Sequence, residues 1–254
     1  MGRLDGKVCI VTGSNSGVGA ATAELFAREG AKVVITARRQ ELLDAEAKKI
    51  EEAGGEVLAV RCDVSKEEDC IRLVNEAVAK FGTVDVLVNN AGVLEAGLKP
   101  VDRCVKEDID RVLDINTKGT IFCSREVSKI MAEKGSGSII NLDSVAGQFG
   151  CGGAAYVSSK AAVIGLTKHT ALRFAGKGVR CYSVCPSTII TPMTMTTDRN
   201  SLDMDMMTQM AKHADLKVQP CMPDDVAKVL LFLASDDSRP ITGQIIVCDF
   251  GSTL

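Results

Sequence analysis

The chain has 254 residues, of which 46% are hydrophobic and 25% are charged, and its formal net charge is −3. This length fits one large α/β domain, and the small negative charge gives no attraction toward nucleic acid or an anionic membrane. We expect no membrane span, because no apolar run is long enough. The ten cysteines are scattered without a C-x-x-C pair, which predicts neither a metal site nor a disulfide framework. The start "MGRLDGKVCIVTG" has no signal-peptide pattern, so the expected location is cytoplasmic.

Seven short runs rich in Val and Ile alternate with helical stretches. In order they are "KVCIVT", "AKVVIT", "EVLAVRC", "VDVLVNN", "GSIINLDS", "GVRCYSVC" and "GQIIVCD". Such runs are typical of strands buried on both faces of a parallel sheet. Amphipathic stretches over 18–30, 40–53 and 66–80 predict helices, and Ser65 with Glu68 forms a capping-box pattern at the third. We therefore predict an α/β fold, a doubly wound parallel seven-stranded sheet with helices on both faces, as a single domain over 1–254.

The first predicted strand leads directly into the glycine-rich turn "TGSNSGVG". Gly13, Gly17 and Gly19 have the spacing G-x-x-x-G-x-G, a relative of the dinucleotide-binding fingerprint. Glycines there let the backbone approach a pyrophosphate, which then lies on the N-terminus of the next helix beside Ser16 and Val18. Glycine turns occur in any α/β fold, but this position, at the first strand-to-helix junction of a Rossmann-like sheet, favours nucleotide binding.

The second predicted strand ends in "VVITARR", where Ala37 occupies the position of the acid that would bind the ribose of NAD. Arg38 and Arg39 follow, and an arginine there suits the 2′-phosphate of NADP. We therefore expect NADP(H) rather than NAD(H), although two arginines also fit a solvated helix entry. Asp63 and Val64, at the tip of the third strand, are expected at the adenine, with Asp63 accepting from its amino group or serving only as a turn residue or helix cap.

Further motifs occur in the order typical of a known family. After the glycine turn the chain contains "CDVS", "NNAG", "IN", Ser144, "YVSSK", "PSTIITPM", "PDDVAKVLLFLASDDS" and "ITGQIIVCDFG". This set resembles the short-chain dehydrogenases/reductases over essentially the whole chain, and in particular the members of about this length that reduce carbonyls or oxidise secondary alcohols. The resemblance also implies a homo-oligomer, a dimer or a tetramer, built on two long helices around 101–134 and 154–175.

The resemblance assigns catalytic roles to Asn116, Ser144, Tyr156 and Lys160. Tyr156 and Lys160 in "AAYVSSK" are four residues apart, on one face of a predicted helix. By resemblance, Tyr156 exchanges a proton with the substrate oxygen, and Lys160 favours the phenolate and binds the nicotinamide ribose against which both side chains lie. Ser144 binds the same oxygen, and Asn116 holds a water of the proton relay. Each residue alone also fits an ordinary structural position, but their joint occurrence favours catalysis.

Five further cofactor contacts follow from the resemblance. The loop "NNAG" is expected to line the middle of the cofactor through Asn90, Ala91 and Gly92. The segment "PSTIITPM" is expected to meet the nicotinamide carboxamide and the phosphates through Ile189 and Thr191.

Four features depart from the family pattern. Tyr156 follows Ser144 by 12 positions, one fewer than is common, and Asp143 replaces a small residue. The segment "CPS" at 185–187 replaces N-P-G, and Phe250 replaces a common glycine. All four lie on the side expected to face the substrate, so we expect an altered pocket wall with the same catalytic groups.

Residues 188–217 interrupt the alternation of strands and helices, and by resemblance they cover the substrate pocket. The stretch 193–210 carries six of the nine methionines. Methionine adapts to irregular apolar ligands, so a lid of this kind favours a bulky apolar substrate such as a hydroxysteroid. Packing of the same methionines on the core is an equal alternative.

Other functions remain open on the sequence. A 3-oxoacyl thioester reductase should present a basic surface to its acidic carrier, and the lid residues Asp198, Asp203 and Asp205 argue against this. A sugar or polyol dehydrogenase would favour a lid rich in polar donors, whereas this lid is mixed. Outside the enzymes, the chain fits an NADP(H)-sensing binding protein, but the presence of both Tyr156 and Lys160 argues against that.

Overall fold

Seven parallel strands form one sheet in the order β3-β2-β1-β4-β5-β6-β7. The computed structural model describes residues 2–215 and 217–254, so Met1 and Leu216, the latter within the predicted lid, lie outside the described residues. The order reverses between β1 and β4, which creates the crevice where such sheets bind ligands. The strands are β1 (Val8–Thr12), β2 (Lys32–Ala37), β3 (Glu56–Arg61), β4 (Val86–Asn89), β5 (Gly137–Leu142), β6 (Val179–Pro186) and β7 (Ile245–Cys248).

Helices cover both faces of this sheet, as the sequence predicted. Neighbouring residues of β2 point to opposite sides, so Val33 and Ile35 join one apolar cluster with Leu230, while Val34 joins a second with Leu73. Within the described residues, no helix is both long and apolar enough to cross a membrane. The helices are α1 (Gly17–Arg28), α2 (Gln40–Glu52), α3 (Glu67–Phe81), α4 (Lys106–Val112), α5 (Gly119–Lys134), α6 (Val145–Phe149), α7 (Ala154–Arg173), α8 (Pro192–Met195), α9 (Met204–Met210) and α10 (Pro223–Ala234).

One helix prediction needs adjustment and another was wrong. The long helix expected around 101–134 runs from Lys106 to Lys134, and a π-helical turn over Leu113–Lys118 lies between its α-helical parts, α4 and α5. The capping box at Ser65 does not form, because the chain enters α3 two residues after it and the Ser65 hydroxyl donates to the Asp63 carboxylate at 2.7 Å.

Phe250, which stands where the family commonly has glycine, lies in the left-handed region of backbone space with a φ of 52°. A phenylalanine therefore adopts a left-handed backbone conformation here that glycine would adopt at a lower energetic cost.

Candidate active site

A cleft of about 930 Å³ opens where the carboxyl ends of the central strands meet the loops that follow them. The residues of the predicted site converge there from the loops after β1 to β6, and only Gly19 and Asn116 of the predicted set do not line it. Those that line it are Gly13, Ser16, Gly17, Val18, Arg38, Arg39, Asp63, Val64, Asn90, Ala91, Gly92, Ser144, Tyr156, Lys160, Ile189 and Thr191.

The glycine turn after β1 is shaped to receive an anion. Gly13 and Gly17 have φ values of 66° and 57°, which L side chains rarely adopt. Gly19 lies beneath the turn, where a Cβ would overlap the Gly13 carbonyl. The Asn90 amide donates to that same carbonyl at 3.1 Å. Since α1 begins here without a side-chain cap from Ser16, its first turn fits a pyrophosphate.

The far end of the cleft, beyond β2, is basic. Arg38 and Arg39 line it, and the Asn15 amide oxygen, in the orientation that satisfies its neighbours, accepts from Arg39 at 3.0 Å. Ala37 lies at the strand tip, and Asp63 accepts from the Ser65 backbone N–H at 3.1 Å, so Asp63 holds its own turn while it lines the cleft. The sequence prediction missed Asn15, although it lies within "TGSNSGVG".

Asn116 lies behind the cleft, in the π-helical turn, and is almost fully buried. Its amide oxygen accepts from the Val93 N–H at 2.9 Å, and its amide nitrogen donates to the Val93 carbonyl and to the Ser159 hydroxyl, each at 3.0 Å. The side chain therefore ties the loop after β4 to α7. The water relay expected from the resemblance stays a prediction.

Tyr156 and Lys160 lie on one face of α7, as their spacing predicted. The Lys160 ammonium lies 5.6 Å from the centre of the Tyr156 ring and donates to the Leu142 carbonyl at 2.7 Å. Lys160 is buried, whereas Tyr156 is half-buried and opens into the cleft. A fixed positive charge thus stands beside a phenol that a ligand can reach, which is an arrangement suited to proton transfer.

Helix α6 fixes Ser144 against this pair. Ser144 is the N-cap of α6, and its hydroxyl oxygen accepts from the Ala146 N–H at 3.1 Å. A Cβ at Gly147 would lie 2.6 Å from the Lys160 backbone carbonyl carbon, so α6 and α7 touch at the level of their main chains. The short spacing between Ser144 and Tyr156 does not prevent both from lining one cleft.

A buried glutamate that the sequence prediction missed stands at the start of α7. One Glu95 carboxylate oxygen accepts from the Tyr156 N–H at 3.2 Å, and the other has no hydrogen-bond partner among the described residues. A Cβ at Gly153 would overlap this carboxylate. Burial is the main cause that raises the pKa of the Glu95 carboxyl. The clue in the sequence was an acid three positions after "NNAG", next to an otherwise apolar loop.

Asp143, a predicted departure from the family pattern, is also buried beside the catalytic candidates. Burial raises the pKa of its carboxyl to about 6, and the Lys160 charge works in the opposite direction. The site therefore contains a buried carboxyl group whose pKa is raised toward neutral pH.

The lid segment contributes apolar side chains to the cleft. Met193, Met207 and Met210 line it, whereas Met195 and Met204 are exposed and do not. All six lid methionines are among the described residues and none is fully buried, so the alternative of core packing was wrong. They lie at positions 193, 195, 204, 206, 207 and 210.

Two of the three lid acids share one positive charge. The Arg103 guanidinium pairs with Asp203 at 2.9 Å and with Asp205 at 3.0 Å. Asp198 and Asp203 also cap short helical segments, since their carboxylates accept from the backbone N–H groups of Asn200 and Met206. The negative charge predicted for this surface is therefore smaller than the sequence alone suggests.

Known proteins resemble this chain over its full length. A family model described as enoyl-(acyl carrier protein) reductase matches residues 13–253. A 3beta-hydroxysteroid dehydrogenase of Mediterraneibacter gnavus is 39% identical over 274 residues, covering 100% of this chain and 97% of the relative. A 3-oxoacyl-(acyl-carrier-protein) reductase of Thermotoga maritima is also 39% identical, covering 99% of this chain and 100% of the relative.

The fold also has similar solved counterparts. The crystal structure of levodione reductase superposes with a TM-score of 0.90 at 31% identity, and the match covers 98% of both chains. The matched family model, the full-length relatives and the seven-stranded sheet agree with the motifs. The chain is a member of the short-chain dehydrogenase/reductase family of oxidoreductases, which bind a nicotinamide cofactor.

Proposed function

We propose that this chain is an NADP(H)-dependent oxidoreductase that interconverts a ketone and a secondary alcohol, with a hydroxysteroid as its substrate and residues 1–254 as one dinucleotide-binding and catalytic unit. The observation that carries the proposal is the Lys160 ammonium, 5.6 Å from the Tyr156 ring, in a cleft that Ser144 also lines. The bound nicotinamide supplies or accepts the hydride.

The side chains of the cleft supply the proton. Tyr156 donates it to the carbonyl oxygen during reduction and removes it from the alcohol during oxidation. The buried Lys160 ammonium stabilises the phenolate left behind. The Ser144 hydroxyl oxygen already accepts from the Ala146 N–H, so its proton is free to be donated to the substrate oxygen.

The choice of NADP(H) is supported at the basic end of the cleft. Arg38 and Arg39 are exposed there and Ala37 offers no carboxylate to a ribose 2′-hydroxyl. An arginine fork matches a phosphate through two parallel hydrogen bonds, and Asn15 holds the Arg39 fork in place. A 2′-phosphate is therefore the group that suits this end.

A steroid is supported by the wall of the cleft and by a relative. Met193, Met207 and Met210 present adaptable apolar surface on the lid side, where Val218 joins them. A relative named 3beta-hydroxysteroid dehydrogenase aligns over the whole chain. Both observations favour a rigid apolar ketone over a sugar.

A 3-oxoacyl thioester is the second candidate, because the relative named as a reductase of that class is equally identical to this chain. The Arg103 charge, shared by Asp203 and Asp205, offsets one of the three negative charges of the lid and so weakens the electrostatic argument against an acidic carrier. The two candidates differ in shape: a steroid fills a wide apolar pocket, whereas a thioester needs a narrow channel to the surface.

The experiment is an initial-rate assay with NADPH and with NADH over three panels: 3-ketosteroids, 3-oxoacyl thioesters and sugar ketones. We expect NADPH-dependent reduction of a ketosteroid at least tenfold more efficient, in kcat/KM, than that of the other classes. Preference for the thioester would replace the substrate but keep the chemistry. Tight NADPH binding without turnover on any panel would contradict the enzyme and favour a cofactor sensor.

We also propose a homo-oligomer in the cytoplasm. The outer faces of α5 and α7 expose Ile121 and Leu172, the latter 78% exposed. Apolar side chains on neighbouring long helices favour association between copies. Sedimentation of the purified chain should give the mass of a dimer or tetramer, and the mass of one chain would contradict this.

A further inference from the structure

Helix α7, which carries Tyr156, begins without a side-chain cap of its own. Its N-cap residue is Gly153, which has no side chain to accept from the N–H groups of the first turn. Tyr156 is the third residue of the helix, and its N–H is one that a capping side chain usually binds. The backbone of the expected proton donor therefore lies in the part of a helix that frays most readily.

Glu95 supplies the missing cap from another part of the chain. It lies in the loop after β4, and one of its carboxylate oxygens accepts from the Tyr156 N–H at 3.2 Å. The Glu95 residue is only 4% exposed. A Cβ at Gly153 would overlap its other carboxylate oxygen, so the glutamate occupies the space that a capping side chain at Gly153 would need. The glycine and the distant glutamate thus complement each other.

The loop that carries Glu95 is itself held at both ends. The Arg111 guanidinium donates to the Leu94 carbonyl at 2.9 Å, directly before the glutamate. After it, the Lys99 carbonyl accepts from the Ala154 N–H at 2.9 Å, which joins the loop to the first residue of α7. The carboxylate therefore projects from a fixed piece of backbone toward the start of the helix.

We propose that Glu95 is a positioning residue that caps α7 from this loop and thereby sets the backbone of Tyr156 and the reach of its phenol toward the substrate oxygen. The cap does not depend on the activity, whereas its effect on turnover rests on the proposed function. Lys160 is held by a separate contact, its bond to the Leu142 carbonyl, so cofactor binding through Lys160 does not need Glu95.

A backbone contact affects the rate because proton transfer depends on distance. The phenol must come within about 2.6–3.2 Å of the substrate oxygen, directly or through one water. A misplacement of about 1 Å can slow a reaction about 100-fold. Without Glu95 the Tyr156 N–H loses its acceptor and the first turn of α7 is free to fray, which moves the Cα from which the phenol projects.

Three substitutions separate the hydrogen bond from the charge. Glu95→Gln keeps the length and an accepting oxygen but loses the charge. Glu95→Asp keeps the charge, but its side chain is one methylene shorter and no longer reaches the Tyr156 N–H. Glu95→Ala removes both. Glu46→Ala is the matched control, because Glu46 on α2 is also a buried glutamate with one carboxylate oxygen that has no hydrogen-bond partner among the described residues, and it does not line the cleft.

Amide hydrogen exchange at Tyr156, resolved by NMR in the protein without substrate or cofactor, measures the cap directly. We expect this exchange to be at least about tenfold faster in Glu95→Ala and Glu95→Asp than in wild type, because the N–H loses its acceptor. In Glu95→Gln and Glu46→Ala it should stay within about threefold of wild type. Should Glu95→Ala fold poorly, Glu95→Asp, which is the smaller change, provides the same test.

The kinetic test uses NADPH and a 3-ketosteroid. In Glu95→Ala and Glu95→Asp, kcat should fall about 10- to 100-fold, while the Kd for NADPH, measured by its fluorescence, stays within about twofold of wild type. Glu95→Gln should keep most of kcat. Glu46→Ala should lose stability but keep the kcat of the folded enzyme, whereas a merely structural role of Glu95 would give the two alanine variants the same behaviour.

Unchanged exchange at Tyr156 in folded Glu95→Asp would overturn the proposal, and so would faster exchange with an unchanged kcat. Equal losses in Glu95→Gln and Glu95→Asp would also overturn it, because the charge rather than the hydrogen bond would then be responsible. Failure of the proposed function is separable from these results. It would show as no ketone reduction by wild type, while exchange at Tyr156 still decides whether Glu95 holds its backbone.

Discussion

Arg39 is the side chain on which the proposed cofactor preference depends most directly. It reaches the cleft at the tip of β2, and Asn15 orients its guanidinium. Each side chain expected to act in the cleft is oriented by a hydrogen bond to a neighbouring residue. Arg39 donates to the Asn15 amide oxygen, and Lys160 donates to the Leu142 carbonyl. The Ser144 hydroxyl oxygen accepts from the Ala146 N–H.

Replacing Arg39 with methionine should raise KM for NADPH about 10- to 100-fold, because a charge-assisted hydrogen bond to a phosphate contributes about 1.5–3 kcal/mol. KM for NADH should stay within about twofold, since NADH lacks the 2′-phosphate. Arg28→Met is the control, because Arg28 is exposed on α1 away from the cleft. Equal losses with both cofactors would contradict the assignment.

Helix α6 is the element that sets the distance between Ser144 and the α7 pair. Its glycine lets two backbones touch, so the geometry of the site depends on main-chain packing as much as on the catalytic side chains. The same principle appears at Gly153, where a missing side chain makes room for Glu95.

Gly147→Ala should destabilise the fold by about 1–3 kcal/mol and lower kcat more than it raises KM, because a methyl group has no room against the Lys160 backbone. Gly165→Ala, on α7 itself, meets nothing within 4 Å and is the matched control. That control should be neutral or more stable by up to about 1 kcal/mol, from helix propensity. Denaturant unfolding and steady-state kinetics would show both effects. Similar behaviour of the two variants would refute the close packing.

Much of the element pattern was predictable because it depends on local sequence. All seven strands carry apolar runs, which are buried in the central strands and only partly buried in the edge strands β3 and β7. The glycine turn marks the first junction between a strand and a helix. The π-helical turn around Asn116 was not predictable, since a single inserted residue leaves the apolar pattern almost unchanged. The Glu95 contact also escaped prediction, because it joins residues 61 positions apart.

At the scale of the whole molecule, the buried Asp143 should make the free energy of unfolding depend on pH. Its carboxyl has a pKa of about 6 in the fold, against an ordinary value of 3.8. A raised carboxyl pKa means that the protonated form is favoured in the fold. Its stabilising contribution is therefore complete below about pH 4 and is lost as the pH rises through about 6.

Wild type should therefore lose about 3 kcal/mol of unfolding free energy between about pH 4 and pH 6 that Asp143→Asn does not lose. The free energy of unfolding of the variant relative to wild type should rise by that amount over this range and then level off. Urea unfolding of both proteins at several pH values measures this difference. The pH-dependent contributions of the other titrating groups are the same in both proteins and cancel in the difference. A flat difference would show that Asp143 titrates normally.

The central claim is that Tyr156 transfers the proton, and single-turnover reduction of a ketone by bound NADPH tests it most directly. Tyr156→Phe should slow this step about 10²–10⁴-fold while NADPH binding stays close to wild type. Tyr182→Phe is the control, because Tyr182 is buried away from the cleft and donates to the Ile241 carbonyl at 2.7 Å. That control should lose stability but keep the rate of the folded enzyme. A Tyr156→Phe variant that reduces the ketone at the wild-type rate would contradict the account.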